Sequence, residues 1–179
     1  MSDTNNDDES TNANKKAKVS HTDDADGDDT ATNKETYVVK CHCGTLRGKF
    51  QLLRSTSNVI AWDCNCSDCY MRRNVHIIVH EDDFTLDLDE GNQSSLEDVS
   101  ICYEWGTKTA KRYFCKTCGI LPWYRPRSNP NGYAITLHCV DWDSAKEEGK
   151  MVPEIEMKHY DGKNWEKSHA TTGIGKLTE

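Results

Sequence analysis

Seven of the nine cysteines in this 179-residue chain fall into three tight clusters: Cys41-His42-Cys43, Cys64-Asn65-Cys66-Ser67-Asp68-Cys69 and Cys115-Lys116-Thr117-Cys118-Gly119. Two thiolates one or two residues apart grip a single ion while the backbone turns between them, so C-x-C and C-x-x-C are chelating spacings for tetrahedral zinc. Seven sulfur ligands exceed what one ion takes. Divided as four plus three, they predict two Zn²⁺ per chain, one in a closed site and one with a position left open, which is the difference between a structural and a reactive zinc. Iron–sulfur ligation is the formal alternative, but ferredoxin-like spacings are absent.

Disulfide bonding is the competing use of so many cysteines. No apolar run of signal-peptide or membrane-spanning length occurs, and the odd cysteine count leaves one thiol unpaired under full oxidation. The expectation is a reducing, intracellular setting with no membrane association, cytoplasm and nucleus being equally open. Outside the clusters, Cys102 and Cys139 read as small hydrophobes packed in a core. His76 and His138 lie on strand-like stretches; a satisfied, half-buried histidine is the commoner outcome there, and a fourth ligand for the second zinc the sharper one. Asp63 and Asp68 flank the second motif, where hydrogen bonding behind the ligands or simple exposure competes with proton transfer.

These ligands need a scaffold, and composition divides the chain in two. Residues 1–36 hold ten acidic and four basic side chains with no aromatic residue, a composition that cannot bury enough surface to fold and predicts a disordered acidic tail. Its basic run at residues 15–18 reads as a solvated cluster before it reads as a nuclear-import patch. Residues 37–179 fit one domain and are close to neutral, so most of the net charge of −8 belongs to the tail. An acidic arm on a neutral domain argues against direct nucleic-acid binding.

From Tyr37 onward the periodicity is that of strands. Leu46, Gly48, Phe50 and Leu52 alternate with Arg47, Lys49 and Gln51, and short β-rich runs recur at 58–62, 75–79, 84–88, 101–105, 112–114, 121–124, 133–137 and 154–158. One short helix is expected over 144–148 with Asp143 as its N-cap, and a further turn just after Cys69. The fold class predicted is all-β, mainly antiparallel, with few short helices and a modest core stapled by zinc.

Cys41-His-Cys-Gly44, Asp63-Cys-Asn-Cys-Ser-Asp-Cys69 and Tyr113-Phe-Cys-Lys-Thr-Cys-Gly119 resemble the three signatures of the glutathione-dependent formaldehyde-activating enzyme family, over about residues 37–168. The segments Tyr124-Arg-Pro-Arg-Ser-Asn-Pro130, His138-Cys-Val-Asp141 and Asn164-Trp-Glu166 are similar to its eukaryotic centromere protein V branch. The resemblance implies a two-zinc, tent-like β-fold shared with Mss4-like proteins. By position it implies that Cys41, Cys43, Cys115 and Cys118 hold a structural zinc and that Cys64, Cys66 and Cys69 hold the reactive one.

It also implies a carbon–sulfur lyase that joins glutathione and formaldehyde into S-(hydroxymethyl)glutathione, the three-cysteine zinc generating the sulfur nucleophile. Glutathione carries two carboxylates, and Arg125 and Arg127, with Asn129 beside them on a proline-stiffened loop, are the candidate substrate contacts; surface salt-bridging is the bland alternative. The competing functional class is a non-catalytic zinc module that binds a protein or chromatin partner. Oligomeric state is not legible in the sequence.

Overall fold

The computed structural model describes residues 33–88 and 95–179; the acidic arm at 1–32, with its basic run at 15–18, lies outside the described residues, as do residues 89–94. Two sheets make the fold. The smaller, in the order β1-β2-β5, is antiparallel and comprises β1 (Lys34–Lys40), β2 (Arg47–Leu53) and β5 (Phe84–Leu86). The larger runs β10 (Glu154–Tyr160), β3 (Asn58–Cys64), β4 (Val75–His80), β9 (Gly132–Thr136), β8 (Trp123–Arg125), β7 (Lys111–Cys115) and β6 (Ser100–Tyr103). Its neighbours are antiparallel except β10 and β3, which run parallel. The all-β class with few short helices is thus the fold observed.

Strand register divides the larger sheet into two working faces, because directly paired residues point the same way and successive ones alternate. Ala61, Ile77 and Ile135 share one face with Trp123 and meet Tyr37, Val39 and Phe50 of the smaller sheet in the main core. Phe84 of β5 packs its ring 5.1 Å from that of Trp123. Phe50, Ile77 and Ile135 are fully buried, each removing roughly 1.5–3 kcal/mol worth of apolar surface from water. The opposite face carries Trp62, His76, Ile78, Ala134, Tyr124 and Arg112, joined by the same register. The carboxy-terminal part of the chain covers this second face, with Tyr160 and Ile174 packed against Trp62, Cys64 and Cys69.

Several element boundaries differ from the sequence expectation. β1 begins at Lys34, inside the stretch assigned to the tail. The helix expected over 144–148 is α3 (Trp142–Glu147), capped by Asp141 rather than Asp143, because the Asp141 carboxylate accepts the Ser144 N–H at 3.2 Å. The turn after Cys69 is α1 (Ser67–Arg72), which starts inside the second cysteine motif. Two further helices lie outside that expectation: α2 (Leu96–Val99), with a Ser95/Asp98 capping box, and α4 (Trp165–Thr172), followed by a 3-10 turn at Ile174–Thr178. No helix among the described residues is long and apolar enough to cross a membrane.

Candidate metal centre

Cys41 follows β1 and Cys115 closes β7, so the first and third motifs bring one sheet to the other. Each makes a tight turn: the Cys41 carbonyl accepts the Gly44 N–H at 3.0 Å and the Cys115 carbonyl the Gly119 N–H at 2.9 Å. Gly44 and Gly119 have φ of 80° and 73°, the left-handed region where a glycine carries no Cβ penalty. The Sγ atoms of Cys41, Cys43, Cys115 and Cys118 all lie within 4.8 Å of one another, with Cys43 Sγ 3.5 Å from both Cys41 Sγ and Cys115 Sγ. Tetrahedral zinc with bonds of about 2.3 Å needs sulfurs ~3.8 Å apart, so this donor set fits zinc. Burial pushes the Cys41 thiol up to about 12, while hydrogen bonding to Thr45 draws exposed Cys43 down to about 6.

The second motif gathers on the other face of the larger sheet. Cys64 ends β3, Cys66 is the N-cap of α1, its sulfur 3.4 Å from the Cys69 N–H, and Cys69 lies buried in the helix. Their Sγ atoms also lie within 4.8 Å of one another, and among the described residues no fourth histidine, cysteine or carboxylate joins the group. Hydrogen bonding from Cys64, then from Cys69, draws Cys66 down to about 2; Cys66 in turn pushes Cys64 up to about 11, and Cys64 pushes Cys69 up as well. Three crowded sulfurs of this kind suit a thiophilic cation such as zinc.

The loop beyond β10 is latched onto this knuckle. The Asn65 side chain donates to Asp161 Oδ1 at 2.9 Å and accepts the Lys163 N–H at 3.1 Å, and the Asn65 N–H reaches the Tyr160 carbonyl at 3.1 Å. Parallel pairing sets Tyr160 opposite Cys64, so Gly162 passes directly over the sulfurs. A Cβ on Gly162 would stand 2.5 Å from Cys64 Sγ.

The three cysteines open onto a cavity of about 210 Å³. Its floor includes His76, Tyr124 and Arg112 from the sheet, and its walls include Trp105, Trp165 and Ile174. His76 is wholly buried, with the Tyr124 hydroxyl 3.3 Å from Nε2; burial lowers its pKa to about 4, so the ring is neutral at pH 7. It shares the cavity without belonging to the sulfur group. Asp68 stands behind the ligands, bonded to Arg112 Nε and to Arg72 Nη2 at 2.8 Å.

Of the three residues expected to contact substrate, only Arg127 lines the cavity, its guanidinium 3.6 Å over the Trp165 ring and its Nη2 3.3 Å from Glu166. Arg125 is held elsewhere, donating to Glu81 at 2.9 Å, the Tyr133 hydroxyl at 2.9 Å and the Pro130 carbonyl at 3.1 Å. Asn129 is fully buried and donates to the Ile174 carbonyl at 2.9 Å and Thr178 Oγ1 at 3.1 Å, a structural tie. His138 lies in a separate groove beside the four-cysteine group. Asp63 is exposed, as is Cys102 on β6, which is therefore not a core residue; Cys139 is half-buried.

Sequence reasoning missed Arg112 and Gly162. Nothing in Lys111-Arg112-Tyr113-Phe114 marks which basic residue points inward; the pairing of Arg112 with Tyr124 decides it. Gly162 carried an ordinary Asp-Gly turn signal, and its role comes from a strand partner distant in sequence.

A solved crystal structure of a Rhodobacter sphaeroides protein is similar to this chain at 26% identity, covering 66% of this chain and 99% of that chain, with a TM-score of 0.49. The family model for the glutathione-dependent formaldehyde-activating enzyme matches residues 36–159. That stretch contains all three cysteine motifs and stops just before Gly162 and α4, the parts that cover the cavity. With well over half its length matched, and with the matched residues supplying both sulfur groups, the chain belongs to the glutathione-dependent formaldehyde-activating enzyme family.

Proposed function

We propose that the protein is a zinc-dependent carbon–sulfur lyase that interconverts a thiol and formaldehyde with the S-hydroxymethyl thiol, glutathione being the thiol the family name points to. The observation that carries this reading is the three-cysteine group opening onto the cavity. Cys64, Cys66 and Cys69 would hold one zinc, and Cys41, Cys43, Cys115 and Cys118 a second, structural one. Zinc bound by the three cysteines would supply a position at which an incoming thiol loses its proton at neutral pH. The chain's own residues then shape the chamber: Trp105, Tyr160 and Trp165 wall it with aromatic surface. Arg127 brings a cation to its rim, and His76 stays neutral beside Tyr124.

The non-catalytic alternative draws on the centromere protein V likeness of three sequence segments, and the family match adds nothing to that narrower likeness. One experiment separates the two classes. Glutathione and formaldehyde are mixed with the protein, and exchange between free and hydroxymethylated thiol is followed by NMR against the Cys66→Ala variant and a protein-free control. Exchange well above the control, returning to it in Cys66→Ala, is expected. Equal exchange in all three samples overturns the enzyme reading for this substrate.

A further inference from the structure

Arg112 is a buried cation whose hydrogen-bonding capacity the fold leaves partly unused. Its side chain is 7% exposed and it bonds through Nε to Asp68, itself 7% exposed. The guanidinium lies 5.4 Å from the Tyr124 ring centroid and 5.9 Å from that of Trp105. Among the described residues, Nε makes its only hydrogen bond, and Nη1 is buried with no partner. An N–H of a charged group is costly to bury without an acceptor, and Arg112 is one of the residues that line the chamber, so an acceptor that enters it can meet the guanidinium.

Charge and geometry agree on the ligand. Arg72, Asp68 and Arg112 form a cluster of two cations and one anion, in which Arg112 is the cation that lines the cavity. With Nε committed to Asp68, the end of the fork formed by Nη1 and Nη2 remains, and its spacing matches the two oxygens of a carboxylate. Of the other arginines nearby, Arg127 is met by Glu166 and Arg125 by Glu81, while Arg72, whose Nη1 is likewise buried without a partner, is not among the residues lining the cavity.

We propose that Arg112 is a substrate-binding residue that receives a carboxylate of the thiol substrate, so that the cavity selects acidic thiols over neutral ones. The assignment rests on the three-cysteine group being the thiol site. At about 210 Å³ the chamber holds both ends of this contact, the sulfur at the cysteines and the carboxylate at Arg112, within one small volume. A small mercapto acid and glutathione share the chemistry, and ligands of both kinds distinguish them.

The test is isothermal titration of the zinc-loaded full chain with 3-mercaptopropionate, its methyl ester, glutathione, 2-mercaptoethanol and propionate. Wild-type protein is expected to bind 3-mercaptopropionate at least ~10-fold more tightly than its ester or 2-mercaptoethanol, the scale of a charge-assisted bidentate contact. Glutathione matching 3-mercaptopropionate identifies the larger thiol as a source of the carboxylate; glutathione binding no better than 2-mercaptoethanol restricts the site to small mercapto acids. Arg112→Gln is expected to abolish the preference for the acid over its ester, and Arg112→Lys to retain part of it. Equal affinity of the acid and its ester for wild-type protein overturns the proposal without recourse to any variant, and leaves the thiol site standing. Propionate binding that is lost in Arg112→Gln, with no thiol binding, keeps the carboxylate site and overturns the thiol reading. No binding of any of the five compounds overturns both.

Discussion

A Cβ at position 162 would stand 2.5 Å from Cys64 Sγ and 2.8 Å from Cys66 Cβ, so the loop after β10 crosses the sulfurs only because no side chain is there. Gly162→Ala forces either the loop or the knuckle to move, an overpacking cost of about 1–3 kcal/mol. Zinc content is expected to fall from two per chain to one while the far-ultraviolet circular dichroism is kept; two tightly held zinc ions in the variant would contradict the reading. The cysteines of the two sulfur groups were legible because their spacing is itself a chelating device, local to a few residues of chain. Gly162 and Arg112 were not, since each acquires its role from a strand partner remote in sequence: Tyr160 beside Cys64 in one case, Tyr124 beside Arg112 in the other.

At the scale of elements, the cavity's cover depends on a few polar ties. Asn129 Nδ2 donates to the Ile174 carbonyl and Thr178 Oγ1, and Thr178 Oγ1 donates to Asn131 Oδ1 at 2.7 Å. Asn129→Ala leaves buried acceptors without a donor, at a cost of about 1–3 kcal/mol. A lower urea midpoint is expected, with faster amide exchange across 165–178 than across β4; an unchanged midpoint and exchange pattern would show that the cover is held by other means. Strands were legible because alternation of buried and exposed residues survives in them, as in β2. Helix α4 was not, because Trp-Glu-Lys-Ser-His-Ala-Thr-Thr has no apolar stripe, and its packing through Trp165 and the latch at Asp161 places it instead. The α3 boundary shifted for a simpler reason: Asp141 and Asp143 are equally good caps by type, and only the former reaches the Ser144 N–H.

At the scale of the molecule, the two sulfur groups have unequal structural weight. The four-cysteine group joins the end of the smaller sheet to β7 of the larger, whereas the three-cysteine group ties together Cys64 to Cys69, neighbours in the chain. A structural zinc held by the four-cysteine group would supply about 10–16 kcal/mol, as much as the roughly 5–15 kcal/mol by which a whole domain is stable. Cys115→Ala is therefore expected to abolish cooperative thermal unfolding, as is exhaustive chelation, while Cys66→Ala keeps a cooperative transition. The reverse pattern would exchange the roles assigned to the two groups.

The different reach of these ligand sets also orders events in time. Cys64, Cys66 and Cys69 form a complete trio as soon as a short stretch of chain exists, but the wall above them includes Gly162, Trp165 and Ile174, which lie in the last described elements to be translated. Nonlocal pairing of β10 with β3 closes late for the same reason that distant contacts are slow to form. During synthesis the trio is thus open on the side that later becomes the cavity until Asn65 engages Asp161 and the roof is set.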